Sequence, residues 1–122
     1  MVDIEQAQAM LDQIAEELPK GIYKELNGGI LLLPQEKLSP HAIGDDLYIL
    51  GEYQRGGTMG RLIYIYFGSF QRLYGYLEPA EMKDKLRETL FHEFTHHLES
   101  LAGEKDLEIE DAIKLEKYKK GK

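Results

Sequence analysis

The chain has 122 residues and no cysteine, with 15 Lys and Arg against 22 Asp and Glu for a formal net charge of −7. That length allows one core and one domain; the acidic balance opposes binding to a phosphate backbone, and without thiols any metal must be held by imidazole and carboxylate. No run approaches the roughly 20 apolar residues that span a bilayer, and the acidic start Met1-Val2-Asp3-Ile4-Glu5 is no secretory leader, so a cytoplasmic protein with no nucleic-acid or membrane partner is expected.

Ile4, Ala7, Leu11, Ile14 and Leu18 recur at spacings of three and four before Pro19, which predicts an amphipathic N-terminal helix. Gly28 and Gly29 lead into Ile30-Leu31-Leu32-Leu33, ended by Pro34: too short for a helix, and expected as a buried strand. Residues 46–53 and 61–67 are rich in β-branched and aromatic side chains, and the connection 54–60 carries the glycines of a hairpin loop. They are expected as the second and third strands, antiparallel neighbours, with the third strand's edge available to substrate backbone. Phe70, Leu73 and Tyr74 share a face over 69–75, a short helix that Gly75 ends. A long helix is expected from Pro79, a residue suited to a first turn, to about Gly103. Residues 107–120 read as a short C-terminal helix running into a solvated basic tail, Lys117, Lys119, Lys120 and Lys122.

The long helix contains Phe91-His92-Glu93-Phe94-Thr95-His96-His97, an HExxH run holding three of the four histidines. Taking His92 as zero and about 100° per residue, His96 falls at about 40° and Glu99 at about 340°, while Leu86, Leu90, Phe94, Leu98 and Leu101 fall between about 120° and 240°. One face can therefore grip a metal while the opposite face builds the core. Two neutral imidazoles with a third protein ligand hold Zn2+ and leave a position for water; Glu93 would then be general base and later acid, not a ligand.

The third ligand is less explicit. A metzincin needs glycine at 99 and histidine at 102, where this chain has Glu99 and Ala102, so that continuation is excluded. Asp106, three residues past Gly103 on chain free to turn back over the site, is the leading candidate. Glu108, Glu110 and Glu116 are alternatives, and Glu99 is a ligand, a hydrogen-bond partner of a ligand imidazole, or an exposed helix charge. His97 lies on the flank of the apolar face and is expected to be a hydrogen-bonded packing residue, and His41 an exposed loop residue. Most of the eight tyrosines are expected to be half-buried sheet residues with no functional role, Tyr53 or Tyr74 being the alternatives for a cleft residue.

On these motifs the whole chain resembles the small zincin-like metallopeptidases of bacteria, many of which carry HExxHxxGxxD with a second histidine directly after the HExxH. His92, Glu93, His96 and His97 match the first part, and Gly103 and Asp106 match the second with four residues inserted. The resemblance implies a compact α+β fold with an N-terminal helix, a three-stranded mainly antiparallel sheet, a long HExxH helix and a short C-terminal helix. It also implies a zinc site on the long helix and hydrolysis of a peptide or protein substrate. The competing expectation is a non-catalytic zinc-binding or adaptor domain, in which His92, His96, Glu99 and Asp106 close the site and leave no place for water.

Overall fold

The computed structural model describes residues 1–40 and 47–103. Six regular elements follow in chain order: helix α1 (Ile4–Glu17), strands β1 (Gly29–Leu33), β2 (Gly51–Gln54) and β3 (Leu62–Tyr66), helix α2 (Phe67–Tyr74) and helix α3 (Pro79–Ala102). The architecture is α+β, as the sequence predicts. His41 and the expected C-terminal helix lie outside the described residues.

Local signals account for the helix boundaries. Asp3 caps α1, accepting from the Gln6 N–H at 2.8 Å, while Gln6 accepts from the Asp3 N–H at 2.9 Å. Ala7, Leu11 and Ile14 then bury one stripe of the helix. Pro19 ends that run and leads into a 3-10 turn, Lys20–Tyr23. Helix α3 opens with Pro79 in its first turn, and Glu81 accepts from the Glu78 N–H at 3.3 Å. Arg87 clamps α1 against α3 by a two-pronged pair with Glu17, at 3.0 and 2.9 Å.

The sheet order is β1-β3-β2, which makes β3 the central strand. β2 and β3 pair antiparallel, as expected of a hairpin, and Gly56, Gly57 and Gly60 adopt φ of 93°, 69° and 71° in its loop, a region open to glycine. β1, however, pairs parallel to β3, with Gly29 opposite Leu62 and Leu33 opposite Tyr66, so the sheet is mixed rather than mainly antiparallel. The hairpin inserts its second strand, not its first, beside β1. The reason lies in β3 itself: Leu62, Ile63, Ile65 and Tyr66 are buried, and a strand apolar on both faces belongs in the middle.

The second strand is also shorter than residues 46–53 suggest. Leu47 and Ile49 turn their hydrogen bonds to the segment before them: the Ser39 N–H donates to Leu47 O at 2.8 Å and the Ile49 N–H to Lys37 O at 2.7 Å. The chain joins β3 from Leu50, whose carbonyl accepts from the Tyr66 N–H at 2.9 Å, and the paired strand β2 begins at Gly51. Helix α2 starts directly out of β3, and Gly68 lies so close to the Pro34–Glu36 backbone that a Cβ there would sit 2.4 Å from Glu36 N.

Ile14, Ile63, Ile65, Phe67, Phe70, Met82, Leu86, Leu90 and Phe94 form the core between α1, the sheet and α3. Each such side chain contributes about 1.5–3 kcal/mol on burial. Leu98, expected on the core face, is 38 % exposed. It lies at the margin of the apolar arc, beyond the Tyr23 and Phe94 rings that pack edge to face at 5.3 Å. Glu93, His97 and Ser100 are buried instead, which turns the covered arc of α3 toward β2.

Candidate metal centre

His92, Glu93 and His96 converge on α3, with one candidate ligand atom from each lying within 4.8 Å of the others. The two imidazole rings stand edge to face with centroids 4.8 Å apart. A tetrahedral ion with bonds of about 2.0–2.1 Å needs donors about 3.4 Å apart, a separation that small side-chain rotations reach from here. The set fits a divalent ion of intermediate softness, since nitrogen donors predominate and no thiol is present.

The three side chains differ in exposure. His92 is exposed and His96 half-buried, whereas Glu93 retains 6 % of its surface. Burying a carboxylate is costly, so a carboxylate kept at this depth beside two imidazoles is a candidate for chemistry. Glu99 brings Oε1 to 3.6 Å from His96 Nδ1, longer than a hydrogen bond and short enough to orient the ring. Asp106, Glu108, Glu110 and Glu116 lie outside the described residues.

The wall opposite the helix is β2 and its flanks. Gly51 faces Glu93: a Cβ on Gly51 would meet Thr89 Cγ2 at 2.9 Å and Glu93 Cγ at 3.2 Å. Tyr53, two residues on, points to the same side and joins His97 Nδ1 at 2.9 Å, while His97 Nε2 lies 2.9 Å from Lys24 O. A carbonyl only accepts, so Nε2 carries the proton, and Nδ1 must accept from the Tyr53 O–H. His97 is thus a neutral brace between α3, β2 and the loop after the 3-10 turn, the packing role its position suggested. Tyr53 lines the cleft, whereas Tyr74 packs against Phe70 with ring centroids 6.4 Å apart.

Burial pushes the His97 pKa below its ordinary 6.5, with Arg61 acting in the same direction and the Lys24 carbonyl and Glu25 opposing. The unfolded chain therefore takes up this proton more readily than the folded one. The stability gained by burying the neutral ring is complete above about pH 6.5 and is lost as pH falls below it. Denaturant unfolding between pH 7 and 5 should show wild type losing stability faster than His97→Gln; parallel profiles would sink this assignment.

Two depressions meet at His92 and Glu93. One, of about 810 Å³, runs toward Tyr48, Leu50 and Phe91; the other, of about 770 Å³, runs toward Tyr53, Arg55 and Ser100. His92, Glu93, Ile49 and Gly51 line both. Together they form one trough between α3 and β2, each half within the size range of a small-ligand site. The strand beside it is not β3, whose two edges are filled by β1 and β2, but β2, the edge strand. The expectation of a free third-strand edge is corrected accordingly. Sequence reasoning also missed Gly51, whose role comes from close approach alone, and the pairing of Arg55 with Ser100.

No family model and no curated protein matches the chain. Among solved structures, a conserved hypothetical protein from Thermus thermophilus is similar at a TM-score of 0.74 and 31 % identity, over 84 % of this chain and 100 % of that one. Among the described residues no helix is long and apolar enough to cross a membrane.

Proposed function

The chain belongs to the same family as this Thermus thermophilus protein, and from its own residues we propose a zincin-like, zinc-dependent metallopeptidase with Glu93 as general base. One observation carries the reading: a buried carboxylate beside two imidazoles, in a trough bordered by an edge strand. His92 and His96 would hold the ion, and Asp106 is the carboxylate the sequence favours as third ligand. Bound zinc supplies a Lewis acid that polarises the scissile carbonyl and makes an attacking water more acidic.

The remaining work falls to the chain's own groups. Glu93 takes a proton from the attacking water onto a carboxylate oxygen and passes it to the leaving amine nitrogen as the C–N bond breaks. Gly51 lets β2 approach within contact of the Glu93 Cγ, which would fix how the carboxylate is presented to the trough. Glu99, with Oε1 3.6 Å from His96 Nδ1, would favour the ring orientation that turns Nε2 toward the ion. The outer edge of β2 offers backbone groups to an extended substrate, which fits a peptide or an unfolded protein segment.

The test is metal-dependent cleavage. Metal-stripped protein reloaded with one equivalent of zinc should cleave unstructured peptides, lose that activity to a chelator and regain it on adding zinc back. His92→Ala should weaken zinc uptake by at least about 100-fold, read by competition with a chromogenic chelator. Tight zinc uptake with no cleavage across a broad peptide mixture would replace this reading with that of a zinc-fastened binding domain.

A further inference from the structure

Gly51 faces Glu93, Tyr53 bonds His97, and Arg55 bonds Ser100. The strand line and α3 therefore advance side by side: two strand residues rise about 6.8 Å and four helical residues about 6 Å. Arg55 stands beyond the two metal-site histidines in this progression. Ser100 lies about 9 Å along the helix axis from the level midway between His92 and His96, a length of two to three residues of extended peptide.

The Arg55 guanidinium is held in place by one bond, from Nη1 to Ser100 Oγ at 3.2 Å, and Ser100 is buried. Arg61 also donates to Ser100 Oγ, at 3.2 Å, but its side chain is only 15 % exposed and it pairs with Glu25 at 3.7 Å. Arg55, by contrast, is exposed and forms no ion pair among the described residues. It lines the same trough as His92, Glu93 and His96, where the other charged neighbours, Glu52 and Glu99, are acidic. A chain of net charge −7 repels anionic peptides in general. A positive fork at one end of the trough, with most of its five N–H donors still available, offsets that repulsion at one place and matches the geometry of a carboxylate.

We propose that Arg55 is the carboxylate-recognising residue of the trough. It selects peptides bearing a carboxylate, from an acidic side chain or a free C-terminus, two or three residues from the bond to be cut. The inference rests on the peptidase reading of the site. Arg55 acts on binding, not on the bond-breaking step, so its removal raises KM more than it lowers kcat.

The experiment uses the zinc-loaded full chain and end-blocked peptides that differ only by Glu or Gln at one position, scanned along the sequence. A second pair differs only by a free or amidated C-terminus. Binding is read by fluorescence anisotropy on Glu93→Gln, and cleavage on wild type. One position two or three residues from the cleaved bond should favour Glu over Gln about tenfold, or the free over the amidated terminus by the same factor; which pair responds identifies the source. Arg55→Gln should bring that ratio to about one, and Arg55→Lys should restore part of it, with thermal unfolding confirming that both variants fold. Ratios equal in wild type and Arg55→Gln would overturn the assignment. A carboxylate preference in binding with no cleavage by wild type would overturn the peptidase reading and leave Arg55 as an anion-recognising group. Cleavage without a preference would do the reverse.

Discussion

Replacing Glu93 by Gln should lower kcat/KM for peptide cleavage by about three orders of magnitude while zinc uptake stays at the wild-type level. Gln has nearly the same volume as Glu, so the packing against Gly51 is preserved. What it lacks is a basic oxygen to take the proton from the attacking water. The side chain is 6 % exposed, so solvent is poorly placed to substitute as the base. Because His92 and His96 are assigned as the ligands and Glu93 is not, the metal should remain. Two results would sink this division of roles: cleavage near the wild-type rate, or loss of zinc together with loss of activity, which would make Glu93 a ligand.

Gly51→Ala tests the wall facing Glu93. A methyl group at this position would lie 2.9 Å from Thr89 Cγ2, 3.2 Å from Glu93 Cγ and 3.3 Å from Ile65 Cδ1. Thr89 is β-branched and on a helix, so it has little rotamer freedom with which to move away. Either β2 retreats from α3 or Glu93 is displaced. The expected outcome is a stability loss of about 1–3 kcal/mol from overpacking, together with a fall in kcat of about 100-fold, the scale attached to misplacing a reacting group by about 1 Å. Zinc uptake should be retained. Thr89→Ser deletes the closest clashing atom, so the double variant Gly51→Ala, Thr89→Ser should recover part of both losses. Full activity in Gly51→Ala alone would show that the contact does not position the carboxylate.

Gly51 also shows where sequence reading reaches its limit. In the linear chain it is one glycine at the end of the apolar stretch Leu47–Leu50, indistinguishable from glycines in nearby turns. Its importance arises because β2 touches α3 at the level of Glu93, a contact between residues 42 positions apart that no local pattern encodes. Arg55 and Ser100 are a similar case: neither belongs to a motif, and their meeting depends on the strand line and helix running side by side. His97 was easier to read. Its place on the flank of the apolar arc implied packing, although its partners, Tyr53 and Lys24, come from elements the arc does not specify.

What this sequence determined by itself was local. Helical spacing, the proline in the first turn of α3 and the Asp3 cap set the helices; the glycine-bearing connection set the hairpin; the four-residue interval of His92 and His96 put both rings on one face. These features follow from covalent geometry and the 3.6-residue repeat, which act over a few residues. The parallel pairing of β1 with β3 was decided only by the tertiary structure, because burying a strand that is apolar on both faces is a property of the whole sheet. So was the trough that turns two imidazoles and a carboxylate into a candidate site. Its far wall comes from a strand about 40 residues earlier in the chain, and the depth at which Glu93 lies depends on how closely that wall can approach.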